Sequence, residues 1–129
     1  MNKEKSILLI DDNSEWILVF SELINSMNGT LKLYAAASGE KGKATYMKLH
    51  LENQEPSLVL IDIRLGDMDG RVLAKDLKAY NKDANLCFFT FYMEEVIGKN
   101  LGIPAISKQL PTQELLESLK KALIGEHVV

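Results

Sequence analysis

Hydrophobic and polar positions follow two alternating regimes along the chain. Short unbroken apolar runs, Ile7-Leu-Leu-Ile10, Leu58-Val-Leu-Ile61 and Leu86-Cys-Phe-Phe89, are separated by stretches in which apolar residues recur every three or four positions. A run without alternation reads as a strand buried on both faces of a parallel sheet, and the longer period reads as one face of a helix. Thr30 to Ala36 is a less apolar strand, suited to a place near the sheet edge. Ile103 to Ser107 is a fifth strand. It contains Pro104, which cannot donate to a sheet ladder, so this strand should lie at an edge or end early.

The helices fall between these runs. Ser14 caps the first, with Trp16, Ile17, Phe20, Leu23, Ile24 and Met27 on its inner face and Asn28-Gly29 as its stop. Ser38 starts the second, with Ala44, Met47 and Leu51 inward. Val72, Leu73, Leu77 and Tyr80 mark a third. Tyr92 to Asn100 is the weakest candidate, because it contains Gly98 and its apolar residues do not settle on one face. Thr112 caps the last, with Leu115, Leu116, Leu119, Ala122 and Leu123 on one side and Gly125 as its stop. Five strands alternating with five helices predict an α/β fold, a doubly wound five-stranded parallel sheet with right-handed crossovers.

Composition narrows the picture. The 129 residues, 47% of them hydrophobic, suit one domain spanning 1–129, with no linker or output domain expected after the last helix. The net charge of −3 and the scattering of the 15 basic residues give no footprint for direct nucleic-acid binding. Four apolar residues before Asp11-Asp12 are too few for a signal segment or a membrane span, so a soluble, cytoplasmic protein without membrane association is expected. Cys87 is the sole cysteine and sits in an apolar run, which makes it a core thiol.

The polar residues of interest stand where the apolar runs stop. Asp11 and Asp12 follow the first run, Asp62 the third strand, Thr90 closes the fourth, and Lys108 follows the fifth. In an open parallel sheet the carboxyl ends of the strands share one edge, where ligands bind, so these side chains should converge in one crevice. Three carboxylates about 5 Å apart repel by roughly 3 kcal/mol per pair at an effective dielectric of 20, which calls for a cation. Hard oxygens, and no Cys or His set at zinc spacing, favour Mg²⁺. An acid nucleophile, a metal, a lysine and a hydroxyl donor are the parts that phosphoryl transfer to a carboxylate requires. Taken singly, an acid after a strand is often only a helix cap, and Lys108 only a solvated loop residue. Ser38-Gly-Glu-Lys-Gly-Lys43 lacks the spacing of a phosphate loop and reads as a helix start. His50 and His127 have no second ligand nearby in sequence.

With Ile10-Asp11-Asp12, Asp62-Ile-Arg-Leu-Gly-Asp-Met-Asp-Gly70, Thr90 and Lys108 in this order, the chain resembles the receiver domain of two-component response regulators over essentially its whole length. The resemblance implies a flavodoxin-like sheet of strand order 2-1-3-4-5. It implies Asp62 as phosphoacceptor, supplied by a sensor histidine kinase or phosphotransfer protein. Mg²⁺ would be held by Asp12, Asp62 and the backbone carbonyl of Arg64, with Asp11 acting through water, while Thr90 and Lys108 would contact phosphoryl oxygens. Such a protein is a switch read by a downstream partner at the face of the fourth helix, fifth strand and fifth helix. It is not an enzyme in the usual sense, although it promotes its own phosphorylation and dephosphorylation.

Departures from the family pattern set up the alternatives. Ala105 stands where an aromatic switch residue is common, Phe91 where a small residue is typical, and Gly66 and Gln109 where prolines are frequent. A pseudo-receiver that docks a protein partner without phosphorylation is therefore the competing reading. A phosphohydrolase with an aspartyl nucleophile needs a second acid two residues on, where this chain has Arg64. Arg64 and Tyr92, each two residues past a site residue, are bulky and should slow the water that removes a phosphoryl group.

Overall fold

The computed structural model describes residues 5–27 and 31–125. Its main sheet is built from β1 (Ser6–Ile10), β2 (Lys32–Ala36), β3 (Leu58–Ile61), β6 (Leu86–Thr90) and β7 (Ala105–Ser107), all parallel, in the order β2-β1-β3-β6-β7. Counting only these five strands, that is the expected order 2-1-3-4-5. Between β3 and β6 a small antiparallel ribbon, β4 (Arg64–Leu65) with β5 (Met68–Asp69), precedes α3 (Gly70–Tyr80). The ribbon was not foreseen, since two residues per strand leave no periodicity to read.

Alternate residues of each strand feed opposite layers, as the pleat requires. Ile7, Leu9, Leu58, Leu60, Cys87, Phe89 and Ile106 face α1 (Ser14–Ser26) and α4 (Thr112–Leu123), which contribute Phe20, Leu23, Ile24, Leu115, Leu119 and Ala122. Leu8, Ile10, Val59, Ile61 and Phe88 face the other way, packed with Tyr46 of α2 (Gly39–Leu51) and with Leu73, Ala74 and Leu77 of α3. Both faces of the central strands are thus covered, which is why those runs show no alternation. The fifth strand is at the edge and starts only at Ala105, so Pro104 stays outside the ladder and its carbonyl accepts from Phe88 N–H at 2.9 Å.

Several local expectations need correction. The fourth expected helix, Tyr92 to Asn100, is reduced to one 3₁₀ turn at Met93–Glu95. Gly98, Asn100 and Gly102 beyond it all take positive φ, a conformation that ends rather than extends a helix. The inner face of α2 is Tyr46 and Leu49, while Ala44 and Leu51 are exposed. The sparse apolar content of that helix left its phase ambiguous. On α3, Val72 faces solvent and Ala74 takes an inward place. Asn13, not Ser14, caps α1 by accepting from Glu15 N–H at 2.9 Å, and Pro111 precedes α4 with no side-chain cap. Ser38 does cap α2, accepting from Lys41 N–H at 3.1 Å. The Asn28-Gly29 stop, the Thr30 strand start and His127 lie outside the described residues. No helix among the described residues is long and apolar enough to cross a membrane.

Candidate functional site

Asp11, Asp62 and Lys108 each sit one rung past a strand, held there by the continuing ladder. Asp11 N–H donates to Ala36 C=O at 3.1 Å, Asp62 N–H to Ile10 C=O at 3.1 Å, and Lys108 N–H to Thr90 C=O at 3.0 Å. Because β1, β3, β6 and β7 are consecutive in the sheet, these carboxyl ends form one continuous edge. Close passage of Gly70 completes the frame. A Cβ there would lie 2.0 Å from the Asp62 carbonyl oxygen, so only glycine lets α3 begin against the backbone of Asp62. Gly70 N–H also donates to Ile63 C=O at 2.7 Å.

Carboxylate oxygens of Asp11, Asp12 and Asp62 all lie within 4.8 Å of one another. The Lys108 ammonium reaches Asp11 Oδ2 at 2.7 Å and Asp62 Oδ2 at 3.0 Å, and Asp11, Asp62 and Lys108 are all buried. Burial pushes the Asp11 carboxyl above its ordinary value, outweighing the opposing pull of Lys108 and of the Asn13 N–H that donates to Oδ1 at 3.0 Å. Asp12 is exposed, and its Oδ2 accepts from Gly66 N–H at 3.2 Å. A proline at this place would have no N–H to donate.

Three negative charges against one lysine leave two in excess, the charge of one divalent cation. The donor set is all hard oxygen, and Oδ2 of Asp11 meets Lys108 as an ion pair without taking a hydrogen bond. These residues fit Mg²⁺.

The other candidates are placed differently. Thr90 is fully buried at the end of β6, and its hydroxyl oxygen accepts from Tyr92 N–H at 3.0 Å, which leaves its proton to donate. Arg64 opens the ribbon, and its side chain is engaged by Tyr92 and Glu95. Its guanidinium lies 3.8 Å from the Tyr92 ring centroid and pairs with Glu95 at 2.9 Å, so the two bulky residues stack on each other.

Three contributions escaped the sequence reading. Trp16, Phe89 and Phe91 place their ring centroids 5.3, 5.5 and 5.4 Å from the Lys108 nitrogen, within cation–π range. Asp67 at the ribbon tip accepts from Gly39 N–H at 2.9 Å and Glu40 N–H at 3.0 Å, tying the acceptor loop to the start of α2 and holding its own carboxyl below the usual range. Asp69 caps α3 through Arg71 N–H at 2.8 Å and pairs with the Arg71 guanidinium at 2.7 Å. Only Asp69 had a local signal, an aspartate just before a helix.

The fold and this edge define a receiver-type domain. The response regulator receiver domain family matches residues 7–120, and the chain belongs to that family. Among solved structures it is similar to a CheY-like response regulator receiver domain protein from Methanospirillum hungatei, at 26% identity and TM-score 0.76, with 93% of this chain and 94% of that one covered. A LuxR-family two-component response regulator from an Aurantimonas species shares the fold at 19% identity and TM-score 0.80, covering 96% and 88%. The CheX-CheY-BeF3-Mg+2 complex from Borrelia burgdorferi does so at 20% identity and TM-score 0.71, covering 88% and 84%. No curated protein matches the chain.

Proposed function

We propose that this receiver domain is a working phosphoacceptor switch, with Asp62 as the acceptor. The observation that carries the reading is the buried triangle in which one lysine bridges Asp11 and Asp62 beside an exposed Asp12, two negative charges in excess. An Asp62 carboxylate oxygen attacks the phosphorus of a phosphohistidine on a sensor kinase or phosphotransfer protein. The P–O bond forms as the P–N bond breaks, and the imidazole leaves. Lys108 moves its charge onto a phosphoryl oxygen, and Thr90 donates its free proton to another. Asp12, Asp62 and the Arg64 carbonyl, with Asp11 acting through water, would hold Mg²⁺, which would supply charge neutralisation at the phosphoryl oxygens. The stacked Arg64 and Tyr92 restrict the attacking water, so Arg64→Ala should shorten the phosphoryl lifetime by several-fold; an unchanged lifetime would remove that role.

The test is mass spectrometry after incubation with acetyl phosphate and Mg²⁺, with beryllofluoride titration in parallel. One phosphoryl group on Asp62, absent in Asp62→Asn, is expected. The sole tryptophan, Trp16, lies beside Lys108 and should report beryllofluoride binding by fluorescence. No Mg²⁺-dependent response in either assay would reject the reading. The second reading, a phosphorylation-independent docking module, draws on Phe91, 47% exposed beside Lys108, and on Ala105 at the usual switch place. It predicts partner affinity that Asp62→Asn leaves unchanged.

A further inference from the structure

The segment that stands in place of a full helix after β6 leaves a cleft against α3. This cleft measures about 680 Å³, and a second of about 520 Å³ adjoins it along the same segment; both are walled by Leu101 and Ile103. Large apolar side chains remain open to solvent here, with Val72 54% and Leu101 38% exposed. Isolated exposed apolar residues need no explanation, but apolar surface gathered along a cleft does.

Charge identifies the occupant. Arg71, Lys75 and Lys78 line the α3 wall, and Asp69 is the one carboxylate lining this cleft among the described residues. Arg71 already neutralises Asp69. Lys78 donates to the carbonyls of Ala84 at 2.7 Å and Lys82 at 3.3 Å, and pairs with no carboxylate among the described residues. Lys75 is exposed and has no partner among the described residues. Two uncompensated positive charges therefore border apolar surface on a chain whose net charge is −3. The spacing 71, 75, 78 sets these cations along one side of α3 over about 10 Å at 1.5 Å per residue. A ligand must present carboxylates along that length with apolar groups beside them.

We propose that this cleft is a docking groove for an acidic amphipathic segment of a partner protein, its apolar face on Val72, Leu101 and Ile103 and its carboxylates toward Lys75 and Lys78. None of Asp11, Asp12, Asp62, Thr90 and Lys108 lines the groove, and the proposal does not rest on phosphorylation of Asp62.

A displayed library of helix-forming peptides, selected against the intact chain, tests it. Selected binders should carry Asp or Glu with Leu or Phe at i, i+3 and i+4, and should shift the amide resonances of Val72, Lys75 and Leu101. Lys75→Glu should weaken them by about tenfold or more while leaving the circular dichroism and the beryllofluoride response intact. Leu101→Ser, which spares the charges, should weaken them as well. Basic or uncharged binders, equal affinity for Lys75→Glu, shifts elsewhere, no binders at all, or sedimentation showing a second copy seated in the groove would each overturn the proposal.

Discussion

Replacing Lys108 by methionine removes the one counter-charge that two buried carboxylates have among the described residues. The side chains of Lys108, Asp11 and Asp62 are 3%, 0% and 10% exposed, so water cannot substitute. At 2.7 and 3.0 Å each contact is worth about 6 kcal/mol of attraction at an effective dielectric of 20, before the desolvation of the three ions is subtracted. Removing one member of a buried pair costs about 3–5 kcal/mol. The variant has one escape, which is to hold a proton on the Asp11–Asp62 pair. Keeping an ordinary aspartate carboxyl, which titrates near 3.8, protonated at pH 7 costs about 4 kcal/mol, which sets the ceiling. Burial already raises Asp11, so the proton is taken up there. A carboxyl raised in the native state binds a proton the unfolded chain has released, and stability then falls as pH rises above the unfolded value. Lys108→Met should therefore be less stable than wild type by about 3–4 kcal/mol at pH 7. The deficit should shrink by up to about 1.4 kcal/mol per pH unit toward pH 5. Urea unfolding followed by far-ultraviolet circular dichroism at pH 5, 6 and 7 measures this. Adding Asp11→Asn should recover most of the loss. A deficit that is independent of pH, or one that Asp11→Asn leaves untouched, would refute the account of the charges.

Three further outcomes follow from the geometry. Asp69→Ala should lower stability by about 1 kcal/mol through the lost α3 cap, the part-exposed Arg71 pair adding little. Because Arg71 lowers the Asp69 carboxyl, this loss should be full above pH 4 and fade as pH falls through the lowered value, as unfolding curves at pH 7 and pH 3 would show. Gly70→Ala should cost about 2 kcal/mol or more and abolish the beryllofluoride response, since its methyl would displace the Asp62 carbonyl; thermal melting and Trp16 fluorescence check both. Cys87, its thiol pushed up to about 12 by burial, should react with a disulfide reagent at pH 8 only as fast as the chain unfolds.

Runs buried on both faces carried the parallel sheet in the sequence itself, because β1, β3 and β6 have no solvent side to demand polar residues. Convergence of Asp11, Asp12, Asp62 and Lys108 was legible for a related reason: strand ends in a parallel sheet share an edge wherever they fall in the chain. Pro104 foretold the edge position of its strand through its missing N–H. The remainder depended on contacts between distant segments. Asp67 reaches the start of α2 across 27 and 28 residues, and no local pattern announces that. The three rings around Lys108 come from α1, β6 and the residue after it, and no local spacing ties any of them to the lysine. The phase of α2 was settled only by which side met the sheet, and the helix after β6 gave way to a turn where Gly98, Asn100 and Gly102 adopt left-handed backbone. Periodicity reports what each segment buries, whereas the tertiary structure decides which segment it is buried against.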